Sequence, residues 1–166
     1  MKVTGNLTIT AENAHEYSEL ESVSRSLDVF APFTAPALTK VDVGLYVNAN
    51  FTAPALTKVG GSLDVYAPFT APALTKVGGS LCVRAPFNAP ALTNIEGEET
   101  TKFSYMLGLR YLVLFTDKYI RIGCQRHARN EWATFTDSKI DAMDKMDTDA
   151  LSFWRKHKDD ILNKNT

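Results

Sequence analysis

Cysteine, tryptophan and histidine are scarce in this 166-residue chain, with two, two and three copies respectively. The cysteines, Cys82 and Cys124, are too few for a disulfide framework, so we expect a reducing compartment such as the cytoplasm. The chain also lacks an apolar run of about 18 residues, and no basic-then-apolar secretion pattern opens it. The sequence therefore predicts neither a membrane span nor export.

An excess of one charge is also missing, because the formal net charge is −1. A balance this even excludes a strongly basic nucleic-acid binder when the chain is taken as a whole. The sequence contains no phosphate-binding loop, no dinucleotide-binding glycine pattern, no serine-hydrolase elbow and no zinc-protease motif. We expect no enzymatic activity and no cofactor.

What the chain has in abundance is one repeated phrase. Ala-Pro-Phe-Thr-Ala-Pro-Ala-Leu-Thr-Lys-Val occupies 31–41 and returns with few changes at 49–59, 67–77 and 85–95, at a step of 18 residues. A short alternating segment such as Leu27-Asp28-Val29 precedes each copy, which places Leu and Val on one side of a strand. Copies at a fixed period indicate a stack of coils. The sequence predicts a mainly β protein, a parallel β-solenoid of about five such coils spaced by about 4.8 Å.

A degraded first coil is predicted over 1–25. Asn6-Leu7-Thr8-Ile9 matches Ser26-Leu27-Asp28-Val29, but the step between them is longer than the regular period, so this coil holds a two-residue insertion. The insertion falls in the polar, acidic segment between Ala11 and Tyr17. A polar outer face is typical of a repeat that caps an array.

The repeat ends at Ile95, and 96–101 has the composition of a polar linker. Beyond it we expect a hairpin from 111–115 and 119–123, preceded by a strand within 103–109. After the hairpin the pattern becomes helical.

Two of these helices have candidate start signals. Thr136-Asp137 can cap a short helix through Met143, and Asp147 or Thr148 can cap a last helix through about Asn163. The predicted domains are a solenoid over 1–96 and a small C-terminal α/β domain of a hairpin plus helices over 97–166.

Two stretches resemble known groups of proteins. Ala-Leu-Thr-Lys-Val-Gly-Gly-Ser-Leu-Asp-Val, within 20–95, resembles the leucine-rich-like repeats of receptor L-domain-type surface proteins and of short bacterial and phage β-solenoids. Tyr-Ile-Arg-Ile-Gly-Cys-Gln-Arg-His at 119–127 resembles C-terminal segments of uncharacterised phage and prophage proteins. The first resemblance implies a fold, and the second implies a viral or mobile-element origin.

Positions that differ between otherwise matching coils are candidates for partner binding. They occupy two outward columns on the strand face opposite Leu and Val, and they include tyrosine, phenylalanine and arginine, which are enriched at interfaces. The first column is Asp28, Tyr46, Asp64 and Cys82, and the second is Phe30, Asn48, Tyr66 and Arg84.

Basic residues form a secondary candidate patch. Lys40, Lys58 and Lys76 recur in the solenoid, and Arg121, Arg126 and Arg129 cluster in the C-terminal region. Cys124 and His127 have the spacing of a metal-ligand pair. No second pair accompanies them, so we expect no metal site.

These observations predict a non-enzymatic protein-binding module, in one version a phage-encoded inhibitor of a host defence protein. One alternative is a nucleic-acid-binding protein that uses the basic residues. Another is a carbohydrate-binding or virion-associated solenoid. A homodimer is compatible with the open ends of such a stack.

Overall fold

A computed structural model of the chain describes residues 1–99, 103–106, 109–123, 125–143 and 149–164. The chain divides into two compact units, Met1–Thr100 and Thr101–Thr166. Within the described ranges, no helix combines the length and the apolar character that crossing a bilayer requires.

The first unit is a parallel β-solenoid, as the repeat period predicts. A full coil contributes one strand to each of three sheets. Sheet A contains Lys2–Val3, Ser22–Val23, Lys40–Val41, Lys58–Val59, Lys76–Val77, Asn94–Ile95 and Glu98–Glu99. Sheet B contains Leu7–Ile9, Leu27–Val29, Leu45–Val47, Leu63–Val65 and Leu81–Val83. Sheet C contains Phe33–Thr34, Phe51–Thr52, Phe69–Thr70 and Phe87–Asn88.

The interior of the solenoid is filled by the residue types that repeat without change. Leu and Val from sheet B, Phe from sheet C and Val from sheet A all point inward and are almost fully buried. Phe51 stacks between Phe33 and Phe69, with ring centroids 5.7 and 5.3 Å apart and planes within 6° of parallel. Each coil thus covers the apolar groups of the next, which a single coil could not do.

Each full coil turns at three corners, and two of them show why proline and glycine recur there. At the first, the Leu38 N–H donates to the Ala35 carbonyl oxygen at 3.3 Å, which closes a turn with Pro36 in its second position. At the second, a Cβ added to Gly60 would overlap the carbonyl oxygen of Asp42 in the preceding coil. The coils approach so closely at this corner that only glycine fits at that position.

The first coil has the predicted two-residue insertion. Leu7 pairs with Leu27, whereas Ser22 pairs with Lys40, so the step along the chain is two residues longer for the first pair than for the second. The extra residues form a turn and the 3-10 helix Ala14–Tyr17 in place of a strand of sheet C.

The prediction of a linker at 96–101 is wrong for its first residues. Glu98–Glu99 is a strand that pairs antiparallel with Asn94–Ile95 at the edge of sheet A. Glu96 and Gly97 connect the two strands with φ values of 55° and 81°. Two successive positive φ values are those of the tight turn that suits a hairpin, and the polar composition of the segment conceals it.

The second unit contains a four-stranded antiparallel sheet of Phe103–Met106, Val113–Thr116, Tyr119–Ile122 and Gln125–Ala128. The hairpin and the strand before it are confirmed. The expectation that helix follows Gly123 directly is wrong, because Gln125–Ala128 pairs with Tyr119–Ile122 first. An edge strand of polar residues carries no apolar alternation that would reveal it.

In the described part of the chain that follows, helices occupy Arg129–Thr134, Asp137–Asp141 and Ala150–Asn163. Thr136 caps the second helix as predicted, since its side chain accepts a hydrogen bond from the Lys139 N–H. The two start positions predicted for the last helix, Asp147 and Thr148, lie outside the described residues. Trp132, Phe153, Trp154 and Ile161 pack with the apolar strand residues into one core.

Candidate functional site

The outward side of sheet B brings the eight predicted partner-binding residues onto one surface, which we call the variable face. Along its first column, strand pairing sets Asp28 opposite Tyr46, Tyr46 opposite Asp64 and Asp64 opposite Cys82. Neighbouring members of the column are therefore about 4.8 Å apart in the backbone.

Each residue of the second column directly follows a strand of sheet B. Its backbone is also hydrogen-bonded to the preceding coil. The backbone N–H groups of Asn48, Tyr66 and Arg84 donate to the carbonyl oxygens of the preceding coil's valines, at 2.9, 2.8 and 2.7 Å. The Phe30 N–H donates to Ile9 in the same way at 2.9 Å. Both columns thus stand on a hydrogen-bonded backbone whose geometry is set before any partner binds.

Large apolar surface is exposed on the variable face. The side chain of Phe30 is 60% exposed and that of Tyr66 is 47% exposed. They belong to the same column two coils apart, about 10 Å in the backbone, with Asn48 between them. Aromatic residues are enriched at protein interfaces relative to the rest of the surface.

Three residues at one end of the variable face influence one another. The Arg84 guanidinium carbon lies 5.5 Å from the centre of the Tyr66 ring. Burial raises the pKa of the Asp64 carboxyl above its ordinary value, and the charge of Arg84 partly opposes that rise. Burial, and then the charge of Asp64, raise the pKa of the Tyr66 phenol.

Tyr46 has a contact that the repeat pattern did not predict. A Cβ added to Gly44 would lie 2.8 Å from Cε2 of the Tyr46 ring, so the ring leans along its own strand and covers Gly44. The corresponding residue in the other repeats is a serine: Ser26, Ser62 and Ser80. The signal was thus present in the sequence, because glycine and tyrosine replace the usual residues in the same coil.

The predicted lysine column lies on sheet A. Strand pairing sets Lys40 opposite Lys58 and Lys58 opposite Lys76. All three side chains are exposed, and Lys40 forms an ion pair with Asp42 at 3.2 Å. The structure therefore places these lysines in register, on a different sheet from the variable face.

The three arginines of the C-terminal unit have different surroundings. Arg121 and Arg126 are cross-strand neighbours, but the Arg121 residue is only 8% exposed. Arg126 lies over the Tyr119 ring at 5.0 Å. Arg129 donates to the carbonyl oxygens of Leu162 and Lys164, at 3.3 and 2.9 Å. The structure thus brings Arg121 and Arg126 together, while Arg129 forms hydrogen bonds with the C-terminal end of the last helix.

His127 is packed among aromatic rings. It meets Trp132 and Phe135 edge-on, with centroids 5.2 and 4.9 Å away, and its Nδ1 lies 3.9 Å from a carboxylate oxygen of Glu131. Cys124, which has metal-ligand spacing to His127 in the sequence, lies outside the described residues. The described parts of the chain contain no group of three or more side chains able to hold a metal ion.

Comparison with known proteins gives no relative for this chain. No family model, no curated protein and no solved structure matches it. What the chain does must therefore be inferred from its own residues.

Proposed function

We propose that this chain is a non-enzymatic protein-binding module that binds its partner through the variable face. One observation carries the proposal: the interior residues are the same in successive coils, whereas the residues on the variable face vary. The inward Leu, Val and Phe residues repeat from coil to coil, whereas the first outward column of the variable face contains three residue types and the second contains four. Repeats this similar act as an internal control, and the two outward columns of sheet B are the neighbouring positions that vary most.

The residue types on that surface support a protein partner. Tyr46, Tyr66 and Arg84 belong to the classes that provide most of the binding energy at protein interfaces, and phenylalanine, as at Phe30, is enriched there. Their backbone is held by the sheet, so little conformational entropy is lost when a partner binds.

The nature of the partner is suggested by the sequence alone. The resemblance of 119–127 to phage and prophage segments makes a host protein the partner that we propose, with inhibition of a defence protein as its consequence. Retention of a host protein from lysate is the direct test of this idea.

The experiment compares three forms of the protein with matched unfolding midpoints. The first is wild type, the second carries Tyr46→Ala, Tyr66→Ala and Arg84→Ala, and the third carries Lys40→Ala, Lys58→Ala and Lys76→Ala. We expect a protein retained by wild type and by the lysine variant but lost from the variant of the variable face. Equal retention by the variable-face variant, or no retained protein at all, would contradict the proposal.

A second candidate function is supported by the lysine column. Three exposed ammonium groups stand in register at one-coil spacing, about 4.8 Å, and such a row favours a polyanion such as a nucleic acid. Binding of this kind weakens steeply as salt is added, and the lysine variant would lose it while the variable-face variant kept it. The two variants therefore separate the two functions.

A further inference from the structure

We infer that the C-terminal unit contains a binding site for a small, uncharged aromatic molecule of one ring. The site is a cavity between the antiparallel sheet and the helices that pack on it. All of its lining residues belong to the second unit, so the inference is independent of the protein-binding function proposed for the variable face.

The cavity has a buried floor and a partly buried rim. The floor consists of Ile122, Trp132, Ile140, Phe153 and Trp154. The rim includes Gly123 and Ala150, which are too small to close the mouth. The space free of protein atoms is about 420 Å³ when the open mouth is counted. The enclosed part is smaller than that, so it has room for one ring and excludes a large ligand.

Hydrogen bonds hold the walls of the cavity in place. The Trp132 Nε1–H donates to the Ile120 carbonyl oxygen at 2.8 Å, which ties the indole to the sheet. The Gln125 side-chain amide donates to the Met143 carbonyl oxygen at 3.1 Å, which ties the end of the helix Asp137–Asp141 to the edge strand. Walls held in this way resist collapse into the cavity, so the space is formed before a ligand arrives.

Aromatic rings provide much of the lining. Tyr111 and Phe153 meet edge-on, with ring centroids 4.9 Å apart and planes at 86°. The rings of Trp132 and Trp154 lie 5.4 Å apart and are inclined at 35°. Aromatic pairs prefer edge-to-face or offset-stacked arrangements, so rings in such varied orientations can accept a further ring among them.

The chemistry of the lining selects against water and against ions. Of the described residues that line the cavity, none is charged. Trp132 and Gln125, which carry polar groups, already donate to backbone carbonyl oxygens. A water molecule in a cavity needs about two to four polar partners, whereas dry apolar cavities bind small aromatic molecules such as benzene. An unpaired charge would lose its hydration without compensation.

Toluene is the probe, and phenol is its polar counterpart of nearly the same shape. Backbone amide and methyl NMR shifts of the full chain locate the binding and give the dissociation constant. We expect saturable shifts at Ile140, Met143 and Ala150 with toluene. Phenol should bind about 10-fold more weakly, because its hydroxyl would lose the hydrogen bonds that it makes in water.

Filling the cavity from its rim tests the location. Ala150→Leu should weaken toluene binding at least about 10-fold while keeping or raising the Tm, because the added side chain occupies the same space. Ala150→Val adds less volume and should weaken binding about 3-fold, which also keeps the test available if the leucine variant does not fold. Ala133→Leu, at an exposed position of the helix Arg129–Thr134, is the matched control and should stay within about 2-fold of wild type.

Four results would overturn the site. They are shifts that do not saturate with toluene, shifts that are as large in the solenoid as around the cavity, phenol binding as tight as that of toluene, and an affinity unchanged by filling at Ala150. None of them bears on retention of a partner by the variable face, so the two proposals stand or fall separately.

Discussion

The side-chain amide of Asn13 donates to the carbonyl oxygen of Thr8 at 2.9 Å, and so closes the edge of the first strand of sheet B. The same side chain accepts a hydrogen bond from the Thr10 N–H at 2.8 Å. Leu7 and Ile9 hydrogen-bond to the next coil, so Thr8 and Thr10 carry the groups that face the open end. One asparagine thus takes the place that a preceding strand would occupy.

Replacing Asn13 should weaken this end of the solenoid and expose its edge. We expect Asn13→Ala to lower the free energy of unfolding by about 1–2 kcal/mol, because two backbone groups lose their partner. We also expect more self-association, since an open strand edge invites pairing with another chain. Urea unfolding and sedimentation velocity measure the two effects. Glu12→Ala, at an exposed neighbouring position, is the control, and an equal result for both variants would contradict this role.

The phenylalanine stack should provide a large part of the stability of the solenoid. Phe51 lies between two parallel rings and is 2% exposed, so Phe51→Ala should cost about 3–5 kcal/mol. Phe30→Ala removes the same side chain from the outside and should change stability by less than about 0.5 kcal/mol. Urea unfolding followed by far-UV circular dichroism compares them, and a similar cost at both positions would refute the assignment of inside and outside.

Arg84 should control the titration of its two neighbours. Its charge opposes the rise in pKa of both Asp64 and Tyr66, so Arg84→Gln should raise both values further. Carboxyl and ring carbon NMR shifts, followed against pH, measure the two midpoints. A fall in either midpoint would be inconsistent with the positions of the three side chains.

The raised pKa of Asp64 also has a consequence for stability. The folded state holds this proton more tightly than the unfolded state, so ionising Asp64 opposes folding once the pH exceeds its unfolded pKa. Asp64→Asn should therefore stabilise the protein at about pH 7, and the gain should vanish at about pH 3. Urea unfolding of the variant and of wild type at both pH values tests the sign. A gain that is larger in acid would contradict it.

Arg129 should stabilise the last helix by holding its end. It donates to the Leu162 and Lys164 carbonyl oxygens, and a cation at a helix C-terminus is also favoured by the helix dipole. Arg129→Gln should lower the free energy of unfolding of the C-terminal unit by about 1–2 kcal/mol, as measured by fluorescence of Trp132 and Trp154. Arg126→Gln, on an exposed side chain, should cost no more than about 0.5 kcal/mol. Equal losses would show that Arg129 has no special role.

The solenoid could be predicted from the sequence because the repeat period determines its strand positions and their pairing. An unvarying step, with Leu, Val and Phe at constant positions, determines which residues point inward and which strands pair. It also placed the eight side chains of the variable face in two columns. The two-residue insertion before Leu20 was visible for the same reason, as a local change of step.

The features that were missed lack such repetition. Glu98–Glu99 and Gln125–Ala128 are short edge strands of polar residues, and their pairing depends on tight turns and on neighbours already in place. The contact between Tyr46 and Gly44 depends on a side-chain rotamer, which sequence spacing does not specify. Composition alone did not show that Arg129 belongs to a helix end, because its hydrogen bonds join segments that are far apart along the chain.

The close approach of neighbouring coils at the corner of Gly60 and Gly78 favours changes in the length of the solenoid by whole coils. At each of these glycines the coils meet backbone to backbone. The first coil shows that an insertion of a few residues removes a strand from one sheet, whereas a whole duplicated coil would leave every existing contact intact. Recombination between the near-identical repeats can thus lengthen or shorten the solenoid by one coil at a time. Each new coil would add two side chains to the variable face, so that surface can grow while the fold stays the same.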